Sequence, residues 1–227
     1  MRKRNFLILL IAILGFSNAE LFAMTQEDSS KEHGSNTIIL PDDPNDTITP
    51  PIMMEVLRYT TSIFGFIPEN YLTSRPMEEI VNLIDKGLEL TPEVSEFTLP
   101  FVGITYEYQD VERLYILDRK VDIATLNYTP DKGFVSWSYY LKFDDKEEVR
   151  TYLRLLLRTF TTMGYDPTIG RHLSFTTDPR ITEEGYIRTV HCVYTDIYAD
   201  SLFVVINVSL RKDSWNPGYP GFDATSF

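Results

Sequence analysis

Phe134-Val135-Ser136-Trp137-Ser138-Tyr139-Tyr140-Leu141-Lys142-Phe143 runs directly into Asp144-Asp145-Lys146-Glu147-Glu148-Val149, and the change of period between them decides the fold. In a strand, side chains two apart share a face. Val135, Trp137, Tyr139, Leu141 and Phe143 therefore share one face, and Ser136, Ser138 and Lys142 the other. This alternation predicts an antiparallel strand with one side on a core and one side in water. From Asp144 the period becomes helical. Asp144 with Glu147 forms a capping-box pattern, and Val149, Tyr152, Leu153, Leu156, Phe160 and Met163 form a wide apolar stripe that Gly164 ends. Arg150, Arg154 and Arg158 form a basic row one turn apart on this helix, read as a solvated face.

The same two patterns recur on either side. Upstream, Ile52–Phe64 carries both helical spacing and β-branched residues and is read as a helix closed by Gly65 and Pro68. A clearer helix follows. Ser74 can cap it, Pro76 suits its first turn, and Ile80, Leu83, Ile84 and Leu88 recur at helical spacing. Strands are predicted over 101–108, 111–117, 121–128 and 134–143, then 173–176, 186–196 and 201–210. The fold class is α+β: antiparallel sheet, in one piece or two, with helices packed on one face in the order helix–strands–helix–strands. Met77-Glu78-Glu79-Ile80 and Lys146-Glu147-Glu148-Val149 occupy matching places 69 residues apart, which suggests an internal pseudo-repeat. The layout resembles the helix-plus-sheet architecture of small exported inhibitor and assembly proteins such as the β-lactamase inhibitor proteins. The likeness is one of layout and carries no function.

The N-terminus reads as an export signal. Arg2, Lys3 and Arg4 precede an apolar run from Phe6 to Phe16, and Ser17 and Ala19 are the small residues a signal peptidase requires. The run falls short of the ~20 residues that span a bilayer. Residues 1–19 are thus a signal peptide, cut after Ala19. The product is soluble and exported, to the periplasm or the medium. The sole cysteine is Cys192, so none follows the apolar run to receive a lipid and the protein is not a lipoprotein. Residues 20–50 form an acidic leader, rich in Ser and Pro and poor in apolar surface, that is expected to be disordered. An α+β domain spans 51–211, as one body or as subunits 51–143 and 144–211. Residues 212–227 are an aromatic tail broken by proline and glycine.

Charge limits the partners. The full chain has 21 basic and 33 acidic residues, and losing Arg2, Lys3 and Arg4 takes the net charge from −12 to −15. Such a surface repels phosphate backbones and anionic lipid, which argues against nucleic-acid binding and polybasic membrane attachment. No membrane span is expected once the signal is removed.

Catalytic signatures are missing. The chain has no Gly-x-Ser-x-Gly elbow, no phosphate-cradling glycine loop and no His-Glu-x-x-His, so no catalytic residue and no cofactor is assigned. Cys192 follows His191, and adjacent strand residues point to opposite faces, so the two cannot form a nucleophile pair; Cys192 reads as a buried small hydrophobe. The only metal candidates are His172 and His191 with Asp196 or Asp200, and their spacing does not demand an ion. Trp215, Tyr219 and Phe222 are the candidate partner-binding residues, because aromatics bury much area at little rotamer cost. Two functions follow. One is a non-catalytic binding protein using a sheet face or the tail, for a protein or glycan. The other is an extracytoplasmic hydrolase using scattered carboxylates or a His/Asp metal site. The sequence leans toward the first and leaves ligand and oligomeric state open.

Overall fold

The computed structural model describes residues 48–98, 101–170, 173–196 and 201–215. Residues 1–47, where the sequence reading placed a signal peptide and most of an acidic leader, lie outside the described residues, as do His172, Asp200, Tyr219 and Phe222.

The domain is dominated by antiparallel sheet. Helix α1 (Pro50–Thr61) leads into a small hairpin, β1 (Ser62–Ile63) and β2 (Ile67–Pro68), then a short turn of helix, α2 (Tyr71–Ser74), and helix α3 (Met77–Leu88). Strands β3 (Glu93–Phe97), β4 (Gly103–Gln109), β5 (Tyr115–Ile116), β6 (Arg119–Tyr128) and β7 (Phe134–Phe143) follow. Helix α4 (Lys146–Thr162) precedes β8 (Thr168–Gly170), β9 (Ser174–Thr176), β10 (Arg180–Ile181), β11 (Tyr186–Thr195) and β12 (Leu202–Lys212). Ten of these strands form one sheet in the order β3-β4-β6-β7-β12-β11-β9-β8, with β5 paired to β6 and β10 to β11.

The mixed signal of residues 52–64 is resolved by splitting it. The helix holds to Thr61, and Thr60, Thr61 and Ser62 bond back to the carbonyls of Val56, Leu57 and Arg58 as it closes. Ile63 then enters the hairpin, whose turn sets Phe64 and Gly65 at positive φ. Other boundaries differ from the sequence reading. The 111–117 strand shortens to Tyr115–Ile116, α3 starts at Met77 behind Pro76 rather than under a Ser74 cap, and α4 is entered at Asp145 without a side-chain capping bond. Strand β3 carries no clean alternation in sequence and forms by pairing with β4.

Strand register divides the sheet into two faces. Trp137 is aligned with Leu126 and Val208, and Tyr139 with Ala124 and Ile206. Helices α1, α3 and α4 pack on this face. Phe143 meets Tyr152 with ring centroids 5.2 Å apart, Phe175 meets Phe160 at 5.9 Å, and the Tyr108 hydroxyl donates to Asp85 at 2.8 Å. Burying Trp137, Tyr139, Phe143 and Phe160 almost fully makes this the core.

The second face corrects an expectation. Ser136 and Ser138 do not face water: each is 1% exposed. They belong to a polar ladder across neighbouring strands. Thr105 donates to Asn127 at 2.7 Å, Asn127 donates to Ser136 at 3.3 Å, and Asn207 donates to Ser138 at 2.8 Å. Small hydroxyl and amide groups can be buried here because they satisfy one another.

Candidate functional site

An open cleft of about 560 Å³ lies where the β1–β2 hairpin, the start of α2 and the β10–β11 turn converge. Glu69 forms its floor. It sits between β2 and α2, and its carbonyl oxygen accepts the Leu72 amide at 2.9 Å, which fixes the turn into the helix. Arg188 reaches it from β11, on the core face of the sheet. Its Nη2 donates to Glu69 Oε2 at 3.1 Å, and its Nε lies 3.0 Å from Oε1 but off the line of a hydrogen bond. Both side chains are largely buried.

Glu183 and Glu184 rim the cleft from the β10–β11 turn. That turn is closed by Thr182 and Tyr186: the Thr182 amide bonds the Tyr186 carbonyl at 2.8 Å and the Tyr186 amide bonds Thr182 Oγ1 at 3.2 Å. Gly185 completes it at φ +77°, a conformation that a side chain would strain. Ser62 and Asn70 add hydrogen-bonding groups and Phe66 a hydrophobic wall.

Electrostatics follow from this arrangement. Burial pushes the Glu69 carboxyl up to about 7, opposed by Arg188 and aided by Glu184. Three carboxyl groups face one guanidinium, so the cleft is net acidic, as is the whole chain. A cation or a hydrogen-bond donor suits it; an anion does not.

The sequence-derived candidates lie elsewhere. His191 is aligned with Asn207 and Thr176 on the polar face, and burial holds its imidazole down at about 4. Cys192 faces the other way into the core, aligned with Ile206 and Phe175, and burial pushes its thiol far up. Asp196 accepts a hydrogen bond from the Tyr194 hydroxyl at 3.3 Å at the end of β11. Among the described residues no group of three or more His, Cys, Asp or Glu side chains is arranged to hold a metal. Trp215 stacks on Phe134 at 6.1 Å and meets Phe101 edge-on at 4.9 Å, while its indole N–H donates to Asp131 at 3.0 Å. Gly133 lies directly beneath it.

Sequence reasoning missed the Glu69 cleft. Glu69 and Arg188 lie 119 residues apart. The available signal was weak: a glutamate following a proline in a turn, and an arginine inside an otherwise apolar strand pattern. Among the described residues no helix is long and apolar enough to cross a membrane. Comparison of the chain with protein-family models, with curated proteins and with solved structures returned no match.

Proposed function

We propose that the mature chain is an exported, non-catalytic binding protein whose Glu69–Arg188 cleft receives a basic side chain, Lys or Arg, from a protein partner. The carrying observation is the cleft itself: Glu183 and Glu184 at the rim, with Glu69 held by Arg188 at the floor. An incoming ammonium or guanidinium would meet the rim carboxylates first, and Ser62 and Asn70 could share its remaining donors. The mature chain's net charge, −15 once Arg2, Lys3 and Arg4 are lost from the full chain's −12, would draw such a partner in at long range.

The hydrolase reading has one observation in its favour, the Glu69 carboxyl near 7. Against it, Arg188 stands across both carboxyl oxygens, where a general acid or base must reach its substrate. The helix–strands order and pseudo-repeat belong to the proposal as well: α3 precedes the β3–β7 half of the sheet, and α4 the β8–β12 half.

Titrating isotopically labelled protein with tetralysine tests the reading. Amide shifts should concentrate at Ser62, Asn70, Glu183 and Glu184, weaken with added salt, and vanish in a Glu183→Gln/Glu184→Gln variant. Glu69→Gln should bind nearly as well, since Arg188 already offsets its charge. Shifts spread over unrelated surfaces, or equal binding of tetraglutamate, would refute it.

A further inference from the structure

Outside the cleft, the chain repeatedly holds its own arginines between an aromatic ring and a carboxylate. Arg75 lies 4.2 Å over the Tyr71 ring and pairs with Glu79. Arg119 lies 4.6 Å over Phe143 and pairs with Glu148 at 2.8 Å. Arg180 lies 4.7 Å over Tyr165 and pairs with Asp178 at 3.0 Å. Among the described residues no lysine is held this way; Lys212 lies 5.7 Å over Tyr186 but has no carboxylate partner. The chemistry explains the difference. A guanidinium is planar and weakly hydrated, so it can lie on a ring while its edge donates to a carboxylate. An ammonium is compact and strongly hydrated and gains less from the ring.

The cleft presents the same two kinds of group without the arginine. Phe66 and the rim carboxylates of Glu183 and Glu184 line one space. Glu183 and Glu184 form no ion pair among the described residues, and Arg188 is committed to Glu69. Phe66 is held in place. Its amide donates to the Ile63 carbonyl at 3.3 Å, and its ring lies against Gly87 of α3, where a Cβ would come 2.5 Å from Cε2 and 2.8 Å from Cζ. A ring wedged in this way needs no ordering when a ligand arrives. At the floor, the Glu69 side chain is 9% exposed, and its Oε1 accepts no hydrogen bond among the described residues. The cleft therefore offers more acceptors than its own guanidinium fills, which suits a side chain rich in N–H donors.

We propose that the cleft selects arginine over lysine, laying the partner's guanidinium on Phe66 and pairing its N–H edge with Glu183 and Glu184. This selectivity rests on the cation-binding reading above and narrows the partner to a protein segment that presents an arginine. That arginine completes the grouping that Tyr71 and Glu79, Phe143 and Glu148, and Tyr165 and Asp178 make within the chain. A lysine would reach the same rim carboxylates but would leave the ring largely unused.

Tetraarginine and tetralysine, titrated separately into the labelled mature chain and followed at the amides of Phe66, Glu183 and Glu184, test this. Tetraarginine should bind at least about fivefold more tightly. Phe66→Leu should bring tetraarginine down to the affinity of tetralysine and leave tetralysine within about twofold of its starting value. Phe66→Tyr keeps the ring and should keep the preference. A peptide of symmetrically dimethylated arginines tests the pairing on the unaltered chain. It retains its charge but loses bidentate hydrogen bonding, so its affinity should fall toward that of tetralysine. Equal affinity of tetraarginine and tetralysine, a preference that survives Phe66→Leu, or full affinity of the methylated peptide would overturn the selectivity and leave the cation-binding reading standing. Binding of neither peptide, or shifts confined to other surfaces, would overturn both.

Discussion

The indole N–H of Trp137 donates to the carbonyl oxygen of Tyr59 across 3.1 Å, tying the last turn of α1 to the middle of the sheet. The Tyr139 hydroxyl donates to the same oxygen at 2.9 Å. Carbonyls in a helix's final turn have no partner within the helix. Here strand β7 supplies two donors in a fully buried place, and α1 is seated by them.

These two donors should be coupled. Trp137→Phe or Tyr139→Phe alone leaves one donor on the Tyr59 carbonyl, so the lost hydrogen bond itself should cost about 1 kcal/mol, with some packing loss for Trp137. The double variant leaves that carbonyl buried and bare and should cost more than the sum. Denaturant unfolding of the four proteins gives the coupling energy; strict additivity would show that the shared carbonyl is not what seats α1.

The apolar stripe of α4 offers a contrast of positions. Leu156 is 1% exposed, and Leu156→Ala should cost about 2–5 kcal/mol. Arg150 is exposed and paired with the exposed Glu147 one turn away, so Arg150→Ala should change stability by less than about 0.5 kcal/mol. Equal losses from the two would mean that the stripe does not face the sheet.

Glu69 and His191 should pull stability in opposite directions with pH. Glu69 is raised from 4.5 to about 7 in the folded chain. Its contribution is therefore fully present below pH 4.5 and is lost as pH rises toward 7. His191 is lowered from 6.5 to about 4, so its contribution is present above pH 6.5 and is lost as pH falls toward 4. Each displacement corresponds to about 3 kcal/mol, and between pH 4.5 and 6.5 the two nearly cancel. Glu69→Gln should therefore gain stability as pH rises through this window, and His191→Gln should lose it. Parallel profiles for the two variants would exclude the assignment.

Cys192 should be chemically silent in the native state. It is 0% exposed on the core face, and burial keeps its thiol protonated. A maleimide should label it only after denaturation; fast native labelling would contradict its placement.

Gly103 should tolerate no side chain. A Cβ there would come 2.1 Å from Phe97 Cζ and 2.8 Å from the Tyr128 carbonyl oxygen, and the carbonyl belongs to the paired strand β6 and cannot move aside. Gly103→Ala should cost at least as much as core overpacking, about 1–3 kcal/mol, and should disturb the Trp215 fluorescence through Phe97 and Phe101. An unchanged melting temperature and spectrum would show that β4 shifts freely.

Where a segment carried one clean period, the sequence was enough to place it. The alternation of 134–143 and the stripe of 149–163 became β7 and α4 with bounds within a residue or two. Segments with mixed or short signals were placed by their neighbours. Strand β3 exists because β4 offers it an edge, and the 111–117 stretch keeps only the two residues that β6 can pair. The Glu69 cleft was not legible, because its parts come from three turns and a strand end that local pattern cannot bring together.

The sequence by itself determined the class of the fold, since hydrophobic period is a local property and β7 and α4 carry it without ambiguity. It also placed Cys192 and His191 on opposite faces, because strand geometry leaves no alternative. Only the tertiary structure decided that Ser136 and Ser138 are buried. A serine satisfies its hydroxyl with whichever neighbour the register supplies, and Asn127 and Asn207 come from strands on either side. The same holds for Glu69 and Arg188: the pair arises from burial and close approach, which depend on how distant segments pack.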